Sequence, residues 1–115
     1  MILHLCKDLM LVGKVSAWAK ANDVAYKSAS SLQKFEDALQ SGDVQQVVVD
    51  LQFKMLDVGE LAESVRQQPG ELPLVGYAQH VMTDLIDSAK TAGFDKVLTR
   101  GQFDHGFADL LAGTN

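Results

Sequence analysis

Three consecutive valines, Val47-Val48-Val49, run into a single acid, Asp50. A strand turns alternate residues to opposite faces, so this run has no face fit for water. Residues 46–51 therefore read as a strand covered on both sides, as in a parallel sheet between two helical layers.

The rest of the chain repeats that unit. Short apolar runs of strand length start near residues 2, 24, 46, 73 and 96, at steps of 22, 22, 27 and 23 residues. Each step holds one strand, one helix and two short connections, and five such units demand parallel strands joined by right-handed crossovers. The predicted strands are 2–6, 24–28, 46–51, 72–78 and 96–99. Leu11, Val12, Val15, Trp18 and Ala19 recur at helical spacing after the first strand. Ser30-x-x-Gln33 predicts a capping box for the second helix, which carries Leu32, Phe35 and Leu39 and stops at Ser41-Gly42. Asp57 opens the third helix (Val58, Leu61, Val65), which ends before Pro69-Gly70; Thr83 opens the fourth (Leu85, Ile86, Ala89), with Gly93 at its end. Asp104 is the predicted cap of the last, with Phe107, Leu110 and Leu111 inward. Trp18 and the phenylalanines are placed on helical core faces and need no cofactor. The chain is too short for an eightfold barrel. A three-layer, doubly wound α/β sandwich remains, as one domain over residues 1–115.

Charge and cysteine content narrow the function classes. Ten Lys+Arg against 15 Asp+Glu leave a formal charge of −5, which opposes sequence-independent binding to nucleic acid or to anionic membrane. The lone cysteine, Cys6, excludes a scaffold of internal disulfides. No apolar run approaches the roughly 18 residues of a membrane span. Residues 1–8 have no basic segment and too short an apolar stretch for a secretory signal, so a cytoplasmic protein is expected.

In doubly wound sheets ligands gather beyond the carboxyl ends of the strands. Lys7, Asp8, Asp50, Ala78, His80 and Arg100 all fall at those ends and form the expected pocket. The other candidates are weaker. Cys6 has no anion-cradling loop behind it and reads as a buried thiol. No glycine-rich nucleotide motif is present. His4, His80 and His105 lack neighbours at metal-ligand spacing. His4 reads as a strand side chain, His105 as solvated, and His80 as a loop residue placed to touch a ligand or partner.

The strand-end acid Asp8, the valine strand ending in Asp50, Leu72-Pro73 at the fourth strand and Ala92-Gly93 after the fourth helix together resemble a response-regulator receiver domain over nearly the whole chain. The resemblance implies a five-stranded sheet in the order 2-1-3-4-5 and a place in two-component signal transduction. Receivers hold Mg²⁺ on two acids after strand one and accept a phosphoryl group on an Asp after strand three. They read the phosphate with a Thr/Ser after strand four and a Lys after strand five. By position, Asp50 matches the acceptor and Asp8 one metal-binding acid. Lys7 stands in place of the second acid, Ala78 in place of the Thr/Ser and Arg100 in place of the Lys, followed by Gly101 rather than Pro.

Those departures change the electrostatics. Asp8 and Asp50 are balanced by Lys7 and Arg100, so the pocket is formally neutral. Mg²⁺ wants oxygen donors, and an ammonium group removes one and repels the ion; at about 4 Å and an effective dielectric of about 20, each unit-charge pair is worth roughly 4 kcal/mol. Lys7 is expected to pair with Asp50, and Arg100 to be free to grip an anion. The expectation is an atypical, stand-alone receiver-like signalling domain: not an enzyme, without a cofactor, acting by binding a signalling protein. The alternatives are a phosphorelay receiver using Asp50, in which case Mg²⁺ sits on Asp8 and Asp50, and a domain binding a small anion near Lys7 and Arg100. Any homodimer is expected, from the resemblance, to use helix 4, strand 5 and helix 5.

Overall fold

Val47 and Val49 point into one hydrophobic core and Val48 into another. Two helical layers follow from that split. In the computed structural model, which describes residues 1–113, the elements run β1 (Ile2–Leu5), α1 (Leu9–Ala21), β2 (Tyr26–Ala29), α2 (Leu32–Gln40), β3 (Gln46–Asp50), α3 (Val58–Arg66), β4 (Leu74–Ala78), α4 (Thr83–Thr91), β5 (Lys96–Thr99) and α5 (Arg100–Leu111). The five strands are all parallel, in the order β2-β1-β3-β4-β5. The predicted architecture and order are those observed.

The helices α2, α3 and α4 bury Phe35, Leu39, Leu61, Val65 and Ala89 against Leu3, Leu5, Val47, Val49 and Leu74. On the other face α1 and α5 bury Leu11, Val15, Phe103 and Leu111 against Ile2, Val48 and Tyr77. Phe53 and Phe94 do not lie on helices as predicted: Phe53 follows β3 and Phe94 precedes β5. Phe94 fills the space a side chain at residue 76 would need. A Cβ on Gly76 would sit 2.9 Å from Phe94 Cε2 and 3.0 Å from Leu51 Cδ2, so glycine is required by the close approach. Arg66 clamps the far end of the sheet, donating to the carbonyls of Leu72 and Gly93 and to Asp95, which itself accepts from the Leu74 amide at 2.7 Å.

Several boundaries differ from the sequence reading. Ser31, not Ser30, caps α2, accepting from the Lys34 amide at 3.1 Å. Thr83 is the first residue of α4, whose cap position, Met82, offers no side-chain oxygen. The last helix begins four residues before Asp104. Thr99 caps it in a reciprocal box with Gln102, so β5 passes into α5 with no intervening loop. Asp104 instead pairs with Lys14 at 2.7 Å, tying α5 to α1. Asp57 caps α3 as read, and Gly42, Gly70 and Gly93 take positive φ after their helices.

One core face is not purely apolar. His4 is fully buried, with Nδ1 2.7 Å from the Tyr26 hydroxyl and Nε2 2.9 Å from the Tyr77 hydroxyl. Tyr77 stacks on Phe103 and reaches Cys6 Sγ at 3.4 Å. Every member has a partner, so the network avoids the cost of an unsatisfied buried polar group. Burial holds the His4 imidazole neutral, lowering its pKa from 6.5 to about 4.

Both features of the packing can be tested by urea denaturation. Gly76→Ala should lower unfolding free energy by about 1–3 kcal/mol through overpacking. A buried neutral histidine takes up a proton on unfolding below its ordinary pKa. Stability should therefore fall by roughly 3 kcal/mol as pH drops from 6.5 to about 4, and the same urea titrations should show that slope flattened in His4→Gln.

Candidate functional site

The carboxyl ends of β1, β3, β4 and β5 converge as the strand order requires, and they carry Lys7, Asp8, Asp50, Ala78 and Arg100 into one region. Asp8 is the cap of α1. Its Oδ1 accepts from the amides of Met10 (3.0 Å) and Leu11 (3.2 Å). Its Oδ2 accepts from Arg100 Nη2 in an ion pair that reaches across the sheet. Arg100 can make that reach because the capping box at Thr99 fixes it as the first residue of α5. The Arg100 guanidinium, then the Leu11 amide, hold the Asp8 carboxyl below the usual carboxylate range.

Asp50 is half-buried at the tip of β3. Burial pushes its pKa up, against the Gln52 amide, which donates to Oδ1 at 2.9 Å, and the field of Arg100. Gln52 also accepts, through Oε1, from the Gln79 amide at 2.8 Å, binding the loop after β3 to the loop after β4. Ala78 is buried, so no side-chain hydroxyl is available at that strand end. Gln52 had no sequence signal beyond lying two residues past Asp50; its role needed coordinates.

The expected Lys7–Asp50 pair does not form. Lys7 Nζ lies 5.7 Å over the centre of the Phe53 ring, and Arg100 takes the only carboxylate of the pocket that is ion-paired among the described residues. The physical reason is that Asp8, as a helix cap, must point over α1, and the preceding residue is turned outward; Lys7 is exposed. Arg100 thus commits one guanidinium nitrogen, Nη2, to Asp8. His80 is exposed in a shallow cleft of about 570 Å³ with Gln79, Val81, Thr99, Arg100, Gly101 and Asp104. Cys6 is buried beneath the site, and that burial pushes its thiol pKa up, which opposes nucleophilic use.

The donor set does not fit a Mg²⁺ ion. That ion demands near-octahedral oxygen coordination. Asp8 has committed one oxygen to the α1 amides and the other to a guanidinium, which leaves Asp50, of these two acids, the one without an ion pair. Among the described residues no group of three or more His, Cys, Asp or Glu is arranged to hold a metal.

No protein-family model matches the chain, and no curated protein matches it. Solved structures do. A response-regulator signal receiver domain from Bermanella marisrubri superposes with a TM-score of 0.80 at 17% identity, over 96% of this chain and 93% of that one. The fold is that of a receiver domain. The receiver domain of a sensor histidine kinase from Pseudomonas aeruginosa PAO1, solved with magnesium in its active-site cleft, gives 0.74 at 13% identity, over 96% and 92% of the two chains. The beryllofluoride-activated NtrC4 receiver domain dimer gives 0.74 at 14%, over 94% and 96%.

The pocket's electrostatics are testable by carboxyl NMR titration. Arg100→Met should raise the pKa of Asp8 toward the ordinary carboxylate value and raise that of Asp50 further, whereas Lys7→Met should move neither. Because the folded pKa of Asp8 is depressed, its stabilising contribution is present above the ordinary carboxylate pKa and is lost as pH falls through the folded value. Arg100→Met should remove much of that acid-range loss.

Proposed function

We propose that this receiver-fold chain is a signalling module that works by binding a partner protein, and that Asp50 is not phosphorylated by the Mg²⁺-dependent route. The observation that carries the reading is the Asp8–Arg100 pair. It satisfies from within the carboxylate that a metal would otherwise share with Asp50. Phosphoryl transfer in such a site relies on metal charge to neutralise the equatorial oxygens; a guanidinium already bound to Asp8 does not take that place. The Gln52–Gln79 bond adds support, since it joins the two loops through a neutral amide that needs no phosphate. Self-association belongs in this reading to the α4–β5–α5 face, where Asp84, Asp87, Lys90 and Lys96 mix charges and β5 is incompletely covered.

The test is incubation with acetyl phosphate and Mg²⁺ followed by intact mass. The expected result is no mass gain and no calorimetric heat of Mg²⁺ binding at millimolar concentration. The triple variant Lys7→Asp, Ala78→Thr, Arg100→Lys should bind Mg²⁺. A wild-type chain that gains one phosphoryl group, lost in Asp50→Asn, would establish the phosphorelay alternative instead.

A further inference from the structure

Tyr26, His4, Tyr77 and Cys6 make one hydrogen-bonded row across the α1–α5 face of the sheet. The Tyr26 hydroxyl lies 2.7 Å from His4 Nδ1, His4 Nε2 lies 2.9 Å from the Tyr77 hydroxyl, and that hydroxyl lies 3.4 Å from Cys6 Sγ. Cys6 Sγ is in turn 4.0 Å from the Asp8 carbonyl. His4, Tyr77 and Cys6 are buried, whereas Tyr26 is half-buried on the edge strand β2. The row therefore starts at the sheet edge and ends beneath the strand-end pocket.

Valence limits how its protons can be arranged. A neutral imidazole has one N–H and one bare nitrogen, and the partner of one nitrogen sets the state of the other. Burial keeps His4 neutral at neutral pH. Two orders satisfy both His4 contacts. In the first, Tyr26 donates to Nδ1, Nε2–H donates to Tyr77, and Tyr77 donates to Cys6 Sγ. The thiol proton then faces the Asp8 carbonyl, so every donor is used within the protein. In the second, each bond is reversed. Cys6 donates to Tyr77, Tyr77 donates to Nε2, and Nδ1–H donates to Tyr26, whose own proton must find an acceptor outside the row. The change from first to second leaves charge and proton count unaltered. Nδ1 gains a proton from water, Nε2 returns one to water, and the hydroxyls and the thiol turn about their own bonds.

Pocket charge bears on the choice between them. In the first order every bond dipole has its positive end toward Cys6, and bonds in such a row polarise one another. Asp50 is the β3 partner of Tyr77 in the sheet register. Asp50 and Arg100 act on the Tyr77 hydroxyl with opposite signs, the carboxylate holding its proton and the guanidinium loosening it. Negative charge at that end favours the first order, and its removal favours the second. The groups that face the His4 ring itself are Tyr26 of β2, Tyr77 of β4 and Phe103 of α5, all uncharged.

We propose that this row is a two-state switch: the charge of the strand-end pocket sets its proton order, and that order decides whether the Tyr26 hydroxyl is turned in to His4 or is free to donate at the sheet edge. The switch does not depend on whether Asp50 is phosphorylated.

The test is the His4 tautomer in the ¹⁵N-labelled whole chain at neutral pH. Long-range ¹H–¹⁵N spectra tell a protonated ring nitrogen from a bare one, and His4→Gln identifies the signals. The wild type should carry its proton on Nε2. Cys6→Ala removes the acceptor of Tyr77 and should move the proton to Nδ1, whereas Cys6→Ser keeps an acceptor and should retain Nε2–H. Asp50→Asn should shift both ring nitrogens in the direction seen for Cys6→Ala. Arg100→Met, which removes a cation instead, should not. A purely structural row would lose thermal stability in Cys6→Ala with the tautomer unmoved, and that result would overturn the proposal. So would Nδ1–H in the wild type, ring nitrogens unchanged in Asp50→Asn, or equal shifts in Asp50→Asn and Arg100→Met. If Cys6→Ala does not fold, the Asp50→Asn and Arg100→Met spectra decide alone.

Discussion

Asp8 and Arg100 lie 92 residues apart and follow strands separated by two others, yet their side chains meet. With strands about 4.8 Å apart, the tie spans roughly 14 Å of sheet. Much of the local structure depends on it. One end fixes the start of α1, because the same carboxylate caps that helix; the other sits on the first residue of α5. These two helices share one face of the sheet, and Lys14–Asp104 joins them a turn further along. The pair is only partly buried, which limits its contribution to stability. Its larger effect is on the chemistry of the pocket, where it uses up a carboxylate and leaves Asp50 in a field that is no longer strongly negative.

The two cores are built on different principles. Around α2, α3 and α4 the packing is aliphatic with Phe35 and Phe94. Around α1 and α5 a buried histidine and tyrosine, His4 and Tyr77, sit among aromatic rings, and His4 is hydrogen-bonded to Tyr77 and to the half-buried Tyr26. Aliphatic packing tolerates exchange of similar volumes. The aromatic face does not, since each polar atom there depends on a particular partner. The network ends at Cys6, directly beneath Asp8, so the site's floor is held by directional bonds as well as by contact.

Fold was largely legible in the sequence because it depends on periodicity. The valine run, the strand–helix rhythm, Asp57 and Gly93 each carry a local signal that the tertiary structure leaves intact. Errors arose where two residues could serve the same local purpose. Ser30 and Ser31 both offer a hydroxyl, and the choice between them rests on where β2 stops pairing. Asp104 is a good cap by type, but Thr99 with Gln102 starts the helix earlier and leaves Asp104 a surface partner. The pocket was legible as a set of residues but not as a set of pairs. Lys7 and Arg100 are both cations at strand ends, and only backbone direction decides which faces the acids. The roles of Gln52 and Phe53 were not legible, since they come from loops touching across the sheet.

The junction between β5 and α5 contains no spare residue: Thr99 ends the strand and caps the helix at once. Successive residues of a helix are rotated by about 100° and advanced by about 1.5 Å. A one-residue insertion after Thr99 would therefore swing the guanidinium off Asp8, and a deletion would remove it. Substitution can tune this pocket by degrees, whereas a change of length at the junction would act as a single step, disconnecting the cation from the acid and exposing both carboxylates together. Among natural variants of such a chain, the spacing of these few residues would be constrained more tightly than their identity.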